Sequence, residues 1–358
     1  MKIAALVSGG VDSSVVVPLL KEQGYDPHIF YIKIGMEGKE DLSDCPSEED
    51  IEITTWIAKK YGCKFDIVDL QHEYFERVGR YTMDTVRKGL TPNPDVMCNR
   101  MIKFGAFEEK VGFEFDRIAT GHYARQWQDT NGVCWLGTAN DQLKDQTDFL
   151  GRINYHQLSK AMFPIGDLPK SEVRRIAAQL DLPSAQRHDS QGICFLGKIN
   201  YNDYIREYLG EQEGDIIELE TCKKLGRHKG FWFHTIGQRR GLGLGGGPWF
   251  VIKKDTKNNI IYVSKGFDPI AQYTNIVPLG DVQTMNPIIH FSEGERVRFK
   301  IRHQPEFNQG TLHLTPSGLN IISDEPISGV AAGQFGIIYH FTDPVVLGSG
   351  VIEENNAD

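Results

Sequence analysis

The chain has 358 residues, of which 40% are hydrophobic and 24% charged. No apolar run approaches the ~18–20 residues of a membrane span, so a disordered or membrane-embedded chain is excluded and two or three globular domains are expected. The formal charge of −9 speaks against a uniformly basic nucleic-acid binder, yet between Cys222 and Arg302 there are 14 Lys and Arg against 5 Asp and Glu. Such an asymmetry can mark a polyanion-binding face on an otherwise acidic protein.

The first 150 residues alternate between strand and helix. Lys2–Ser8 is a short apolar run that begins almost at Met1, which leaves no room for a signal peptide and points to a cytoplasmic protein. Asp12–Gln23 has helical spacing and stops at Gly24, and Asp26–Ile34 reads as a second strand. Ser47–Tyr61 is a helix with Ser47 as its cap and Gly62 as its stop. Lys64–Leu70 and Asp116–Thr120 are further strands, with a helix over about Ile102–Val111 between them. This rhythm predicts a parallel sheet covered by helices on both faces. Ser171–Leu180 is another helix. Beyond Leu209 glycine becomes dense. Short alternating runs follow at Trp249–Lys253, Ile260–Ser264, Arg296–Arg302, Thr311–Leu314, Gly318–Ile322 and Phe335–Phe341, as in an antiparallel sheet or small barrel.

The sharpest local signal is Ser8-Gly9-Gly10-Val11-Asp12-Ser13-Ser14, between the first strand and the first helix. Two glycines let the backbone turn tightly, and the helix start offers N–H groups and a positive dipole end to phosphate oxygens. The lysine of a Walker loop is missing, as is the G-x-G-x-x-G of dinucleotide folds. S-G-G-x-D-S in this place resembles the loop of ATP pyrophosphatases, which split ATP between its α and β phosphates.

Six cysteines (45, 63, 98, 134, 194 and 222) include no C-x-x-C pair and no zinc spacing, so no metal site built from protein ligands is expected. Two have a polar setting. Cys98 closes Thr91-Pro92-Asn93-Pro94-Asp95-Val96-Met97-Cys98, where two prolines hold the chain extended. A helical turn starting at Val96 would put Asp95 and Cys98 on one side, and a helix N-terminus would favour the Cys98 thiolate. Cys194 follows Asp189-Ser190-Gln191-Gly192-Ile193, where the glycine would let the thiol swing. Cysteines 45, 63, 134 and 222 read as structural.

Taken together, Ser8–Ser14, Thr91–Phe104, Ala119–Arg125 (A-T-G-H-Y-A-R), Lys144-Asp145-Gln146, Gly192–Phe195 and His234–Gly241 (H-T-I-G-Q-R-R-G) resemble the tRNA-specific 2-thiouridylase family over nearly the whole chain. That family thiolates the wobble uridine, position 34, of certain tRNAs. The resemblance implies an α/β protein. Its N-terminal domain (1–209) would be of the ATP-pyrophosphatase, adenine nucleotide α hydrolase-like type with a parallel sheet. A small central tRNA-binding domain (210–272) and a C-terminal antiparallel β-barrel (273–352) would follow.

For the site, the resemblance implies that Leu6, Val7, Ser8, Gly9, Gly10, Val11, Asp12 and Ser13 hold ATP, with Ile32 and Gly121 flanking the adenosine. Asn93, Pro94 and Asp95 would meet the target base, with Asp95 as base or orienting group. Cys98 would be the nucleophilic or resolving thiol and Cys194 the persulfide carrier, linked transiently as a Cys98–Cys194 disulfide. His122, Lys144, Asp145, Gln146, Arg302, His303 and Gln334 would touch tRNA. ATP and Mg²⁺ are implied as cofactors. Implied partners are tRNAs of the Lys, Glu and Gln types and a persulfide-donating protein; no membrane partner is implied.

Several positions leave the family pattern, among them Ile32, where methionine is common. K-D-Q-S-Y-F-L is Lys144-Asp145-Gln146-Thr147-Asp148-Phe149-Leu150 here, and Arg-Tyr is Arg302-His303. From the loop alone, a small-molecule amide-forming ligase of the ATP-pyrophosphatase type remains an alternative, as does a non-catalytic RNA-binding protein. The basic stretch and the two motif cysteines favour sulfur transfer to RNA.

Overall fold

The computed structural model describes residues 1–34, 47–188, 201–266, 270 and 273–354. Strands β1 (Ile3–Leu6), β2 (His28–Lys33), β3 (Phe65–Asp69), β4 (Arg117–Ala119) and, after the hairpin β5 (Ala124–Gln128)–β6 (Cys134–Thr138), β7 (Ala161–Met162) build the N-terminal unit. Its main sheet is parallel, in the order β3-β2-β1-β4-β7. The alternation of side chains along a strand decides which core each residue joins. Ala4 and Leu6 of β1 pack on one face with Phe30, Ile102 and Phe107. Ile3, Ala5 and Val7 pack on the other with Val15, Val16 and Leu20 of helix α1 (Val11–Glu22) and Ile57 of helix α2 (Ser47–Tyr61). A strand buried on both faces must be apolar throughout, which is why the first run carries no polar alternation.

The expected single helix near Ile102 is instead the end of a longer rod. Helix Pro94–Cys98 runs into a π-helical stretch, Asn99–Ala106, and on into Phe107–Lys110. The wide turn changes which carbonyls find partners, and the Gln157 side-chain amide donates to the carbonyls of Arg100 (2.8 Å) and Phe104 (2.9 Å).

Helix Tyr201–Leu209 leads into a four-stranded sheet of β8 (Gly214–Glu218), β9 (Lys224–His228), β10 (Trp249–Asp255) and β11 (Ile260–Lys265), in the order β10-β11-β8-β9. The C-terminal unit is a closed barrel of β12 (Tyr273–Thr284), β13 (Arg296–Lys300), β14 (Asn308–Thr315), β15 (Gly318–Ser328), β16 (Phe335–His340) and β17 (Val346–Ile352). All its neighbours pair antiparallel. No helix among the described residues is long and apolar enough to cross a membrane.

The barrel grips the first unit at buried polar points. Lys300 Nζ of β13 lies 3.1 Å from Asp145 Oδ2, with both side chains 1% exposed. Gln334, before β16, donates to the Pro92 carbonyl (2.7 Å) and accepts from Asn93 Nδ2 (3.1 Å). The Thr91 N–H donates to the Ala332 carbonyl.

Candidate active site

The phosphate loop is built as its residue types require. Gly9 sits at φ +73°, and Gly10 is the N-cap of α1. Ser8 and Ser13 hydroxyls lie 3.1 Å apart, the Ser8 N–H donates to Ser13 Oγ (3.1 Å), and Ser14 Oγ donates to the Gly10 carbonyl (2.7 Å). A side chain on Gly9 would collide with Asp50 of α2, since its β-carbon would lie 2.8 Å from Asp50 Cα. Arg187 locks this contact by donating to the Gly9 carbonyl (3.1 Å) and to Asp50 Oδ1 (2.5 Å). Burial raises the Asp50 pKa, and the Arg187 contact opposes that rise.

One cavity of about 560 Å³ joins this loop to the cysteine segment, within the ~300–1,000 Å³ usual for ligand sites. Its lining includes apolar Leu6, Phe30, Ile32 and Ile34, the loop residues Ser8, Gly10 and Ser13, and Asp95 and Cys98. An apolar wall next to a phosphate loop suits a nucleotide. Among the described residues no three His, Cys, Asp or Glu side chains group to hold a metal.

Two lining residues that the sequence did not single out complete the phosphate end. Lys170 Nζ donates to both oxygens of Asp12 (2.6 and 2.8 Å), and Tyr123 Oη donates to Asp12 Oδ1 (2.9 Å). Lys170 opens helix Lys170–Gln179 and is 158 positions from its partner, so no local pattern could reveal the pairing.

The expected positions separate in space. Val7, Val11, Gly121, His122, Lys144, Gln146 and His303 line the cavity together with the loop, Asp95 and Cys98. Gly9, Asn93, Pro94, Asp145, Arg302 and Gln334 do not line it. Gly9 carries the bend, and Pro94 is the buried first residue of its helix. Asn93 caps that helix, its Oδ1 accepting from the Val96 N–H (3.2 Å), and is braced by Gln334. Arg302 is exposed and donates to Gln304 (3.2 Å).

Asp145, expected to touch tRNA, lies at the junction with the barrel. It is 2% exposed, and its carboxylate accepts from the Ala139 N–H, the Thr147 hydroxyl and Lys300, so it supports the barrel junction. His122 is buried, with Nδ1 2.8 Å from Thr120 Oγ1; burial and then Lys103 push its pKa well below the usual histidine value, so the ring is a neutral group inside the cavity. Gln146 clasps Tyr123, accepting from its N–H (3.0 Å) and donating to its carbonyl (2.9 Å).

The helix around Cys98 starts at Pro94, two residues earlier than expected. Asp95 occupies its first turn and Cys98 its end. Within the continuous rod Pro94–Lys110, Cys98 lies about one turn in from the start, and its side chain and that of Asp95 reach the same cavity. Cys194, the Gly192–Phe195 motif, Cys45 and the disulfide with Cys98 lie outside the described residues. Cys222, read as structural, is exposed on a turn at φ +57°.

Comparison with known proteins follows the same division of the chain. Residues 1–198 match a model described as tRNA methyl transferase HUP domain, 202–265 a tRNA methyl transferase PRC-barrel domain, and 279–352 an aminomethyltransferase beta-barrel domain. Proteins named tRNA-specific 2-thiouridylase MnmA from Parabacteroides distasonis and Porphyromonas gingivalis are 60% and 59% identical, over 98% of this chain and 99% of theirs. The chain belongs to the tRNA-specific 2-thiouridylase family. Another 2-thiouridylase, from Bacteroides fragilis, is 60% identical over 98% of this chain and the whole of its own. A solved U34-tRNA thiolase, NcsA from Methanococcus maripaludis, aligns at 19% identity over 58% of this chain and 71% of its own, with a TM-score of 0.33, too low to bear on the reaction.

Proposed function

We propose that this chain thiolates C2 of the wobble uridine of tRNA, with ATP as the energy source. The observation that carries this reading is the single cavity shared by the phosphate loop, Asp95 and Cys98. The domain models are described by methyl transfer, whereas the near relatives are named for thiolation. The cavity favours thiolation, because a phosphate loop and a thiol facing one space both have work in it.

The C2 oxygen of uridine is a poor leaving group. Its attack on the α-phosphate of ATP expels diphosphate and turns that oxygen into part of AMP. Ser8, Gly10, Ser13 and the α1 start hold the phosphates, while Lys170 and Asp12 set the charge beside them. Bound with the nucleotide beside Ser8, Ser13 and Asp12, Mg²⁺ would supply screening of the phosphate charge. Asp95 orients the uridine or takes its N3 proton. Sulfur arrives as a persulfide on Cys194, delivered by a donor protein. Its terminal sulfur attacks C2, Cys98 attacks Cys194 Sγ and breaks the S–S bond, and AMP leaves with the original oxygen. Release of hydrosulfide by the same Cys98 attack gives the same products. Either way a Cys98–Cys194 disulfide forms, and a thiol reductant must return two electrons before the next turnover.

His122, Lys144, Gln146, Arg302, His303 and the exposed Arg239 and Arg240 form the RNA side of this reading, and Gln334 acts through Asn93. Working domain spans are 1–209, 210–272 and 273–352, and the cytoplasm is the proposed compartment. The test is nucleoside mass analysis of unmodified tRNA incubated with the chain, ATP, Mg²⁺ and a persulfide donor. 2-Thiouridine at position 34 is expected. Cys98→Ser and Cys194→Ser should each bind tRNA and form none. ATP–diphosphate exchange indifferent to tRNA, without thiolation, would instead indicate a small-molecule ligase.

A further inference from the structure

His303, so far only one of several RNA-side residues, reaches the cavity wall from the barrel and is paired there with Asp148 of the first unit. His303 follows β13, and Asp148 lies in the short helix Thr147–Leu150. His303 Nδ1 is 2.9 Å from Asp148 Oδ2. The Asp148 side chain is 6% exposed, and its Oδ1 is buried without a hydrogen-bond partner. The His303 ring is half exposed and lies tilted over Phe149, with centroids 4.8 Å apart. His303 and Phe149 both line the cavity that holds Asp95 and Cys98. Positions 148 and 303, two of those at which the sequence leaves the family pattern, therefore meet in space.

We propose that Asp148 and His303 act as one unit, holding an imidazolium at the cavity mouth that receives the RNA backbone phosphate beside the extruded uridine. The proposal rests on the tRNA-thiolation reading for its ligand. A buried carboxylate with one orphan oxygen tolerates a cation beside it far better than a neutral ring. Nδ1 is committed to Asp148, so the second ring N–H is the donor left for a ligand, and among the described residues nothing accepts it. A charge-assisted N–H at the mouth of a site that must admit a polyanion suits a phosphate oxygen. Phe149 supports the ring from below.

The other charges around His303 are Asp145, paired with Lys300 behind Asp148, and Lys103, Lys144 and Asp95 in the cavity wall. Arg302 beside it bonds Gln304. The Asp148 bond raises the His303 pKa above the ordinary 6.5, against burial and Lys300. The imidazolium, and with it the phosphate contact, is complete below that ordinary value and fades as the pH rises through the raised one.

The test begins with NMR titration of the His303 ring in the full chain, assigned by its loss in His303→Gln. The expected midpoint lies above 6.5, and Asp148→Asn should lower it. The Kd of an unmodified tRNA transcript is then followed from about pH 6 to about pH 9. It should weaken about tenfold through the His303 midpoint. His303→Gln should remove that dependence and reduce the salt slope by about one phosphate contact. The double variant Asp148→Ser/His303→Gln leaves no uncompensated buried charge, so it reports on binding even where Asp148→Asn fails to fold; its Kd should also be independent of pH. A wild-type midpoint at or below 6.5 overturns the pair. A raised midpoint with a pH-independent tRNA Kd overturns the phosphate contact. If tRNA affinity follows the His303 titration but no 2-thiouridine forms, the reaction reading falls and the pair stands.

Discussion

A β-carbon on Gly121 would stand 2.7 Å from the Ser13 nitrogen and 2.9 Å from the Asp12 carbonyl carbon. Both are backbone atoms at the start of α1, so neither can swing aside. Gly121→Ala should therefore lower stability by ~1–3 kcal/mol, read in urea unfolding. It should also weaken ATP binding at least about tenfold, because the loop cannot shift and keep its phosphate geometry. The sequence named Gly121 as a neighbour of adenosine; the structure adds that it must let two backbones touch. Serines and glycines of the loop were legible because their chemistry is local. Lys170 was not, because its meaning comes only from Asp12 across the fold.

The segment from Pro94 to Lys110 shows what periodicity can miss. A π-helical stretch advances its apolar side chains on a longer period, so counting at 3.6 residues split one rod into a loop and a short helix. The same stretch makes Gln157 indispensable. Gln157→Leu would leave the Arg100 and Phe104 carbonyls without their side-chain donor, one of them in a buried bond. The expected cost is ~1–3 kcal/mol in thermal or urea unfolding. Lower 2-thiouridine yield should follow, since Asp95 and Cys98 sit at the head of that rod. Strand β12 escaped detection for a different reason. It contains Pro278 and Gly280, residue types that usually interrupt strands, yet it runs through both and bends at a register shift between Gly280 and Gln283.

At the scale of the molecule, composition showed one change, after Leu209, and the three-part division came from the family resemblance; the junctions were not legible, because Lys300–Asp145 and Gln334–Pro92 join residues more than a hundred positions apart. Lys300→Met would leave the Asp145 carboxylate buried without its cation and should cost ~3–5 kcal/mol in global unfolding. Asp145→Asn/Lys300→Met should recover much of that loss. Acid should destabilise the central unit by a separate route. Burial, then His228 and Lys254, push the His234 pKa down to about 4. The unfolded chain, titrating near 6.5, binds more protons between those values, so stability falls as the pH drops from about 6.5 to about 4. That loss is ~3 kcal/mol for this group. Urea midpoints measured across that window should decline, and His234→Gln should flatten the decline.

The Thr91–Asn93 segment is fastened by Ala332 and Gln334. Ribosomes deliver the phosphate loop first and these clamps almost last. A polypeptide terminated before Ala332 carries the whole phosphate loop but lacks both fastenings of the segment that leads into the Cys98 rod.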